Sequence, residues 1–287
     1  MGTATITDNQ VSLVVFTCEG REHLLHQTVK SFTLQCSFNF AKVILAIDGQ
    51  VNQAVGALLE PDVIIQQYQR QGYVQMISKV VKLIGTPYFF WLEDDWRFHI
   101  SVPMEDLLHH LIKHQGWAQV VLSKYGPLES EMKLQPLESA LYQSTFGFSA
   151  NPTLCNTGHI RDAFQLLSSA QKGDTLGEDG FENYLSKTFT KQNIICAILD
   201  PIDRTPISHE GYLETTPRSW HMTNSLEQRG SAHLLTIPAP SLTRRFAMAA
   251  KLIVTICVLA FRQFTNNKIY EYCFRIIATS KTVSKDE

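Results

Sequence analysis

Two hydrophobic periods alternate along the first hundred residues. Short, nearly unbroken apolar runs occur at Val11 to Phe16, Lys42 to Ile47, Val63 to Ile65 and Tyr88 to Leu92, with the length of strands rather than helices. Between them, His23 to Phe32 places Leu24, Leu25, Thr28, Val29 and Phe32 at helical spacing. Tyr73 to Ile84 does the same with Val74, Ile77, Val81 and Ile84, and Gly85-Thr86-Pro87 stops it. Strands that alternate with helices predict crossover connections and a mostly parallel buried sheet, an α/β fold.

The second half is less regular. Leu107, Leu108, Leu111 and Ile112 predict a helix, Gln119 to Leu122 a strand, and Phe146 to Ser149 another strand ending in the loop Asn151-Pro152. Arg161 to Ser169 and Phe181 to Lys187 predict helices, and Ile194 to Leu199 a strand closed by Asp200-Pro201. No internal repeat or low-complexity tract interrupts this order. It predicts one catalytic-sized domain over 1–240 and a helical extension over 241–287.

Composition changes the picture in three places. A net charge of −2 supplies no basic field, so nucleic acid is not an expected partner. The six cysteines are scattered without a C-x-x-C pair, and Met1 to Gln10 lacks the basic start and apolar stretch of a secretory signal, which together predict a cytoplasmic protein. The charge is also uneven. From Ser241 to Glu287 eight Lys/Arg against three acids give +5, while 17 against 24 give −7 elsewhere. The apolar run Phe246 to Phe261 within that tail is shorter than the roughly 20 residues a spanning helix needs. Two accounts stay open for it: a helix lying on the cytoplasmic face of a membrane, or one docked on the catalytic domain.

The strand at Tyr88 ends in Glu93-Asp94-Asp95, and ligands of open α/β sheets bind at the carboxyl ends of strands. Adjacent carboxylates repel unless a cation compensates them, and oxygen ligands of this kind suit Mg2+ or Mn2+. A solvated turn would carry the same residues with no ligand. The neighbouring segments bear on that choice. QRQGYVQMISKVVKLIGTPYFFWLEDDW, from Gln69 to Trp96, resembles the stretch of family 2-like glycosyltransferases in which a glycine-led helix precedes an apolar strand and a D-x-D type metal motif. VSLVVFTCEGREHLLHQTVKSF is similar to that superfamily's opening strand, nucleotide-contacting loop and first helix, and KVILAIDG to its second strand with a terminal aspartate.

The resemblance implies a GT-A fold and a nucleotide-sugar donor. It implies that Thr17 and Glu19 lie beside the nucleotide, with Arg21 in the same loop, and that Asp48 approaches the base or ribose. Asp95 would be the principal metal ligand, with Glu93 and Asp94 at the metal's water shell or the donor sugar. The sequence departs from the family in having Ile47-Asp48 where a doubled aspartate is common, and Cys18 where an aromatic is usual. Gly177-Glu178-Asp179-Gly180 resembles the family's E-D pair, which implies Asp179 as the base of an inverting transfer, with Glu178 beside it; a carboxylate before a helix is kept ionised there. His209 resembles a late histidine that some GT-A enzymes add to the metal, and a plain loop histidine reads the same way. Trp220 and His221 suit an acceptor pocket or a core equally. His110 and His114 have a metal pair's spacing, but without the H-E-x-x-H pattern a solvated helix face is expected, as for His109.

These readings converge on a metal-dependent glycosyltransferase moving a sugar from a nucleotide diphosphate to a saccharide or lipid-linked acceptor. A nucleotidyltransferase would need a basic, glycine-rich loop where Thr17-Cys18-Glu19-Gly20-Arg21 stands. A non-catalytic sugar-binding module could keep the same fold.

Overall fold

A computed structural model of the chain describes residues 10–51, 59–124, 128, 134–170, 180–201 and 204–210. In order these form β1 (Val11–Cys18), α1 (Glu22–Gln35), β2 (Lys42–Asp48), β3 (Val63–Gln67), α2 (Tyr73–Val81), β4 (Tyr88–Glu93), β5 (Trp96–Phe98), α3 (Met104–Lys113) and β6 (Trp117–Leu122). There follow β7 (Gln135–Glu138), β8 (Leu141–Gln143), β9 (Thr153–Asn156), α4 (Thr157–Ala170), α5 (Gly180–Lys191), β10 (Ile195–Leu199) and β11 (Ile207–His209). Among the described residues nine strands make one sheet, ordered β3-β2-β1-β4-β9-β6-β10-β8-β7. The mostly parallel sheet expected from the alternation is present: β1 pairs in parallel with β2 and β4, β2 with β3, and β6 with β10. Only β9 and β8 run against the rest.

Helices cover both faces, which is why the central strands are apolar at nearly every position. In β1, Leu13 and Val15 face the core shared with α1 and α3, while Val14 and Phe16 face the core shared with α2, α4 and α5. In β4 the same alternation sends Phe90 and Leu92 one way and Phe89 and Trp91 the other. Trp91 is fully buried, with ring centroids of Phe16 at 4.8 Å, Phe148 at 5.8 Å and Phe181 at 6.4 Å. This aromatic packing anchors the strand that carries the acids.

The second half differs from the sequence reading in detail. Phe146 to Ser149 is not a strand: Gly147 has φ +72, and a Cβ there would lie 2.5 Å from the Ser186 side chain, so the chain turns against α5 instead of extending. The strand at this level is β9, which inserts antiparallel between β4 and β6. Its four residues are too few to show a period. No described helix is long and apolar enough to cross a membrane. Glu178, Asp179, Trp220, His221 and the whole extension over 241–287 lie outside the described residues.

Candidate functional site

The parallel strands β1, β2 and β4 end side by side, and their last residues with the loops that follow bring Thr17, Glu19, Arg21, Asp48, Glu93, Asp94 and Asp95 to one edge of the sheet. In β1, Thr17 is buried, and its hydroxyl donates to Asp94 Oδ2 at 2.7 Å. Gly20 at φ +86 then turns the chain so that Arg21 stands at the N-cap of α1. Arg21 makes no capping bond with its side chain. The guanidinium reaches back over the strand ends, with Nε donating to Asp94 Oδ1 at 2.8 Å and Nη2 donating to Asp95 Oδ2. Asp94 and Asp95 are only 4% and 5% exposed.

His209 arrives through a separate device. Strand β11 pairs antiparallel with β5, setting His209 opposite Trp96, and the Glu210 amide donates to the Asp95 carbonyl at 2.8 Å. His209 Nε2 then lies 3.1 Å from Asp95 Oδ2, its ring edge-on to Trp96 at 4.7 Å. On the other side of the turn, the Trp96 amide donates to Thr28 Oγ1 of α1 at 3.0 Å. The acids are thus held from β1, α1 and β11 together.

The three consecutive acids do not act as one cluster. Glu93 pairs in register with Phe16, on the strand face shared with Trp91, and its carboxylate accepts from the Tyr73 hydroxyl of α2. Loss of solvation, with Asp95 nearby, pushes the Glu93 carboxyl well above its ordinary range, and burial does the same to the Tyr73 phenol. Burial also raises Asp94, to about 7, against the pull of Arg21 and the Thr17 hydroxyl. Asp95 moves the other way: burial is outweighed by the His209 hydrogen bond and charge and by Arg21, which together lower it. Burial works against the Arg21 charge, yet Asp94 and Asp95 hold the guanidinium above its usual value.

Asp48 and Glu19 border this group. Both carboxylate oxygens of Asp48 accept backbone amides, Gln71 at 2.9 Å and Gly72 at 3.0 Å, which fastens the start of α2 to the end of β2. Glu19 Oε2 accepts from the Gln50 amide at 3.1 Å. Between them Gly49, at φ +108, leaves no room for a side chain, since a Cβ would lie 2.7 Å from Glu19 and 3.0 Å from Arg70. Arg70 was not singled out from the sequence, although it stands in the segment that carries the family resemblance; its Nη2 lies 3.7 Å from Cys18 Sγ. Burial pushes the Cys18 thiol up to about 12, so it is neutral there.

Oxygen and imidazole donors of Asp95 and His209 suit Mn2+ in kind, and Asp95 Oδ1 is buried without a hydrogen-bond partner among the described residues. Among those residues no three His, Cys, Asp or Glu side chains form a ready metal cage. That fits the habit of ions bound by one or two carboxylates, which take their other ligands from substrate phosphates and water.

Away from this edge, His110 and His114 are half-buried rather than solvated. Glu138 Oε1 meets His110 Nδ1 at 2.5 Å and His114 Nε2 at 3.1 Å, and Lys113 Nζ donates to Oε2 at 2.5 Å. The His114 ring stacks on Trp117 at 4.2 Å. The expected solvated face failed because β7 brings an acid from outside the helix. Burial works to raise Glu138, but the bonds from Lys113 and His110 and the charges of His110 and His114 lower it from 4.5 to about 2. A lowered acid stabilises the fold above its unfolded value and loses that contribution as pH falls through the folded one. Glu138→Gln is therefore expected to cost about 1 kcal/mol at most at pH 7. In thermal melts the difference from wild type should shrink between pH 4.5 and about 2; a difference that persisted at the acid end would count against the ion cluster.

No protein-family model matches the chain, and no curated protein sequence does. Solved structures do. GalNAc-T7, crystallised with UDP, GalNAc and Mn2+, overlaps with a TM-score of 0.52 at 14% identity, covering 70% of this chain and 43% of its own. S. aureus TarS 1-349 overlaps at 0.46 and 11% identity, covering 68% and 59%. CMP:2-keto-3-deoxy-manno-octonic acid synthetase complexed with CTP overlaps at 0.44 and 12%, covering 66% and 89%. The chain spans less than half the length of GalNAc-T7. The parallel strands β3-β2-β1-β4, the antiparallel β9 beside them and the overlap with GalNAc-T7 give this chain a GT-A-like fold.

Proposed function

We propose that the chain transfers a sugar from a nucleotide-diphosphate donor to a hydroxyl of a saccharide or lipid-linked acceptor, with inversion and with a divalent metal, Mn2+ or Mg2+. The observation that carries this reading is the meeting of Thr17, Arg21, Asp94, Asp95 and His209 at the carboxyl edge of the sheet. Asp95 and His209 would hold the metal, which when bound supplies positive charge to the diphosphate leaving group. Thr17 orients Asp94, and Glu19, Arg70 and the backbone around Gly49 border the space at the ends of β1 and β2 where a nucleoside would lie. Asp179, with Glu178 beside it, would take the acceptor proton.

The start of α5, one residue after Asp179, supports that last role. Phe181 packs against Trp91 of β4 and Tyr73 of α2, at 6.4 and 5.9 Å, which brings the helix start towards the strand that ends in the acids. A nucleotidyltransferase is less well supported, because the loop after β1, Thr17-Cys18-Glu19-Gly20-Arg21, offers a single basic residue beside an acid and not the basic, glycine-rich cradle a triphosphate needs. Incubating the protein with a panel of nucleotide sugars and Mn2+ tests the proposal. Release of nucleoside diphosphate from one donor is expected; release of pyrophosphate from a nucleoside triphosphate and a free sugar acid, or no turnover of any donor with acceptors supplied, would overturn it.

A further inference from the structure

Arg21 occupies the ground that a metal would need. Its Nη2 lies 2.8 Å from Asp94 Oδ1 and also bonds Asp95 Oδ2, and its side chain is only 11% exposed. A divalent ion brought to the same two carboxylates would meet a fixed positive charge where little solvent screens the repulsion. The charge count runs the same way. Two carboxylates are balanced by one divalent ion alone, and the guanidinium added to that ion leaves an excess of positive charge. Asp95 Oδ1, buried and accepting no hydrogen bond among the described residues, is the acceptor that Arg21 leaves open. His209 Nε2, 3.1 Å from Oδ2, stands beside the same carboxylate. Arg21 itself sits at the helix N-cap behind Gly20, outside β1, and its side chain makes no capping bond to α1.

We propose that Arg21 and a divalent cation are alternative counter-ions of the Asp94–Asp95 pair: entry of the cation expels the guanidinium, which is then free to meet the phosphates of an incoming donor. The inference rests on the metal-binding part of the function proposed above. It makes Arg21 a built-in stand-in that partly compensates two buried acids before metal and donor arrive, and a competitor that sets how tightly the metal binds alone. By linkage, whatever draws Arg21 away from the acids strengthens metal binding by the same factor.

Binding of Mn2+ to the full chain without nucleotide, followed by the EPR signal of free Mn2+, tests this in wild type, Arg21→Met and Arg21→Lys. Arg21→Met is expected to bind Mn2+ about tenfold more tightly, within the usual range of coupling between sites. Its thermal midpoint should fall without metal and rise further than that of wild type when Mn2+ is added. Arg21→Lys keeps the charge and should stay close to wild type. A purely structural arginine predicts the opposite, weaker binding in every variant. Equal or weaker binding by Arg21→Met overturns the competition while leaving the metal site standing, whereas Mn2+ binding to none of the chains removes both. Should Arg21→Met not fold, Arg21→Gln, which keeps an amide donor for the acids without the charge, is read in the same way.

Discussion

Asp95→Asn is expected to reduce sugar transfer by about a hundredfold or more, the scale seen when a group that stabilises transition-state charge is removed. The substitution keeps the shape of the side chain and removes its charge. Its effect on folding should be smaller than burial alone suggests, because Arg21 retains Asp94 as a partner and Thr17 still holds Asp94 in place. The His209 contact at 3.1 Å loses its anionic partner, so the variant tests the acid and the imidazole as a unit. Turnover with the best donor, measured across a Mn2+ titration below the melting temperature, is the check. Wild-type turnover in the variant would remove Asp95 from the metal site.

Asp179→Asn is expected to lower turnover by about 10² to 10⁴, the usual contribution of a positioned base, with donor affinity nearly unchanged. A base acts on the acceptor hydroxyl in the transition state and has no part in holding the nucleotide, so the loss should fall on kcat and kcat/KM together. Helix α5 begins at Gly180, directly after this residue, and Glu182 in its first turn accepts the Ala150 amide at 2.6 Å, which fixes the helix start. Glu178→Gln is the control for a general effect of removing charge at that helix end. A collapse of donor affinity in Asp179→Asn would reassign the residue to the donor site.

The central strands and their helices were legible in the sequence because their signals are local. Val11 to Phe16 and Tyr88 to Leu92 are apolar at every position but Ser12 because helices cover both faces of the sheet. Helix α2, which ends at Val81 short of the expected Ile84, shows its buried face through Val74, Ile77 and Val81, and Gly72 at φ +102 marks its start. Burial repeated every residue or every third to fourth residue leaves a pattern that one segment displays by itself. The acids at the end of β4 were legible for the same reason, since polar residues directly after such a run must lie at a strand end.

What those acids do to one another was decided by contacts between distant segments. Strand alternation sends Glu93 to Tyr73 on one face, while Arg21 and Thr17 claim Asp94 from the neighbouring strand. His209 belongs to the site only because β11 pairs with β5. Glu138 reaches His110 and His114 from another strand, and β9 enters the sheet on four residues without a period of their own. A sequence displays the period of each element, because burial of one face repeats along it. The partner that each charged group finds depends on which elements the fold sets side by side, and no single segment carries that information.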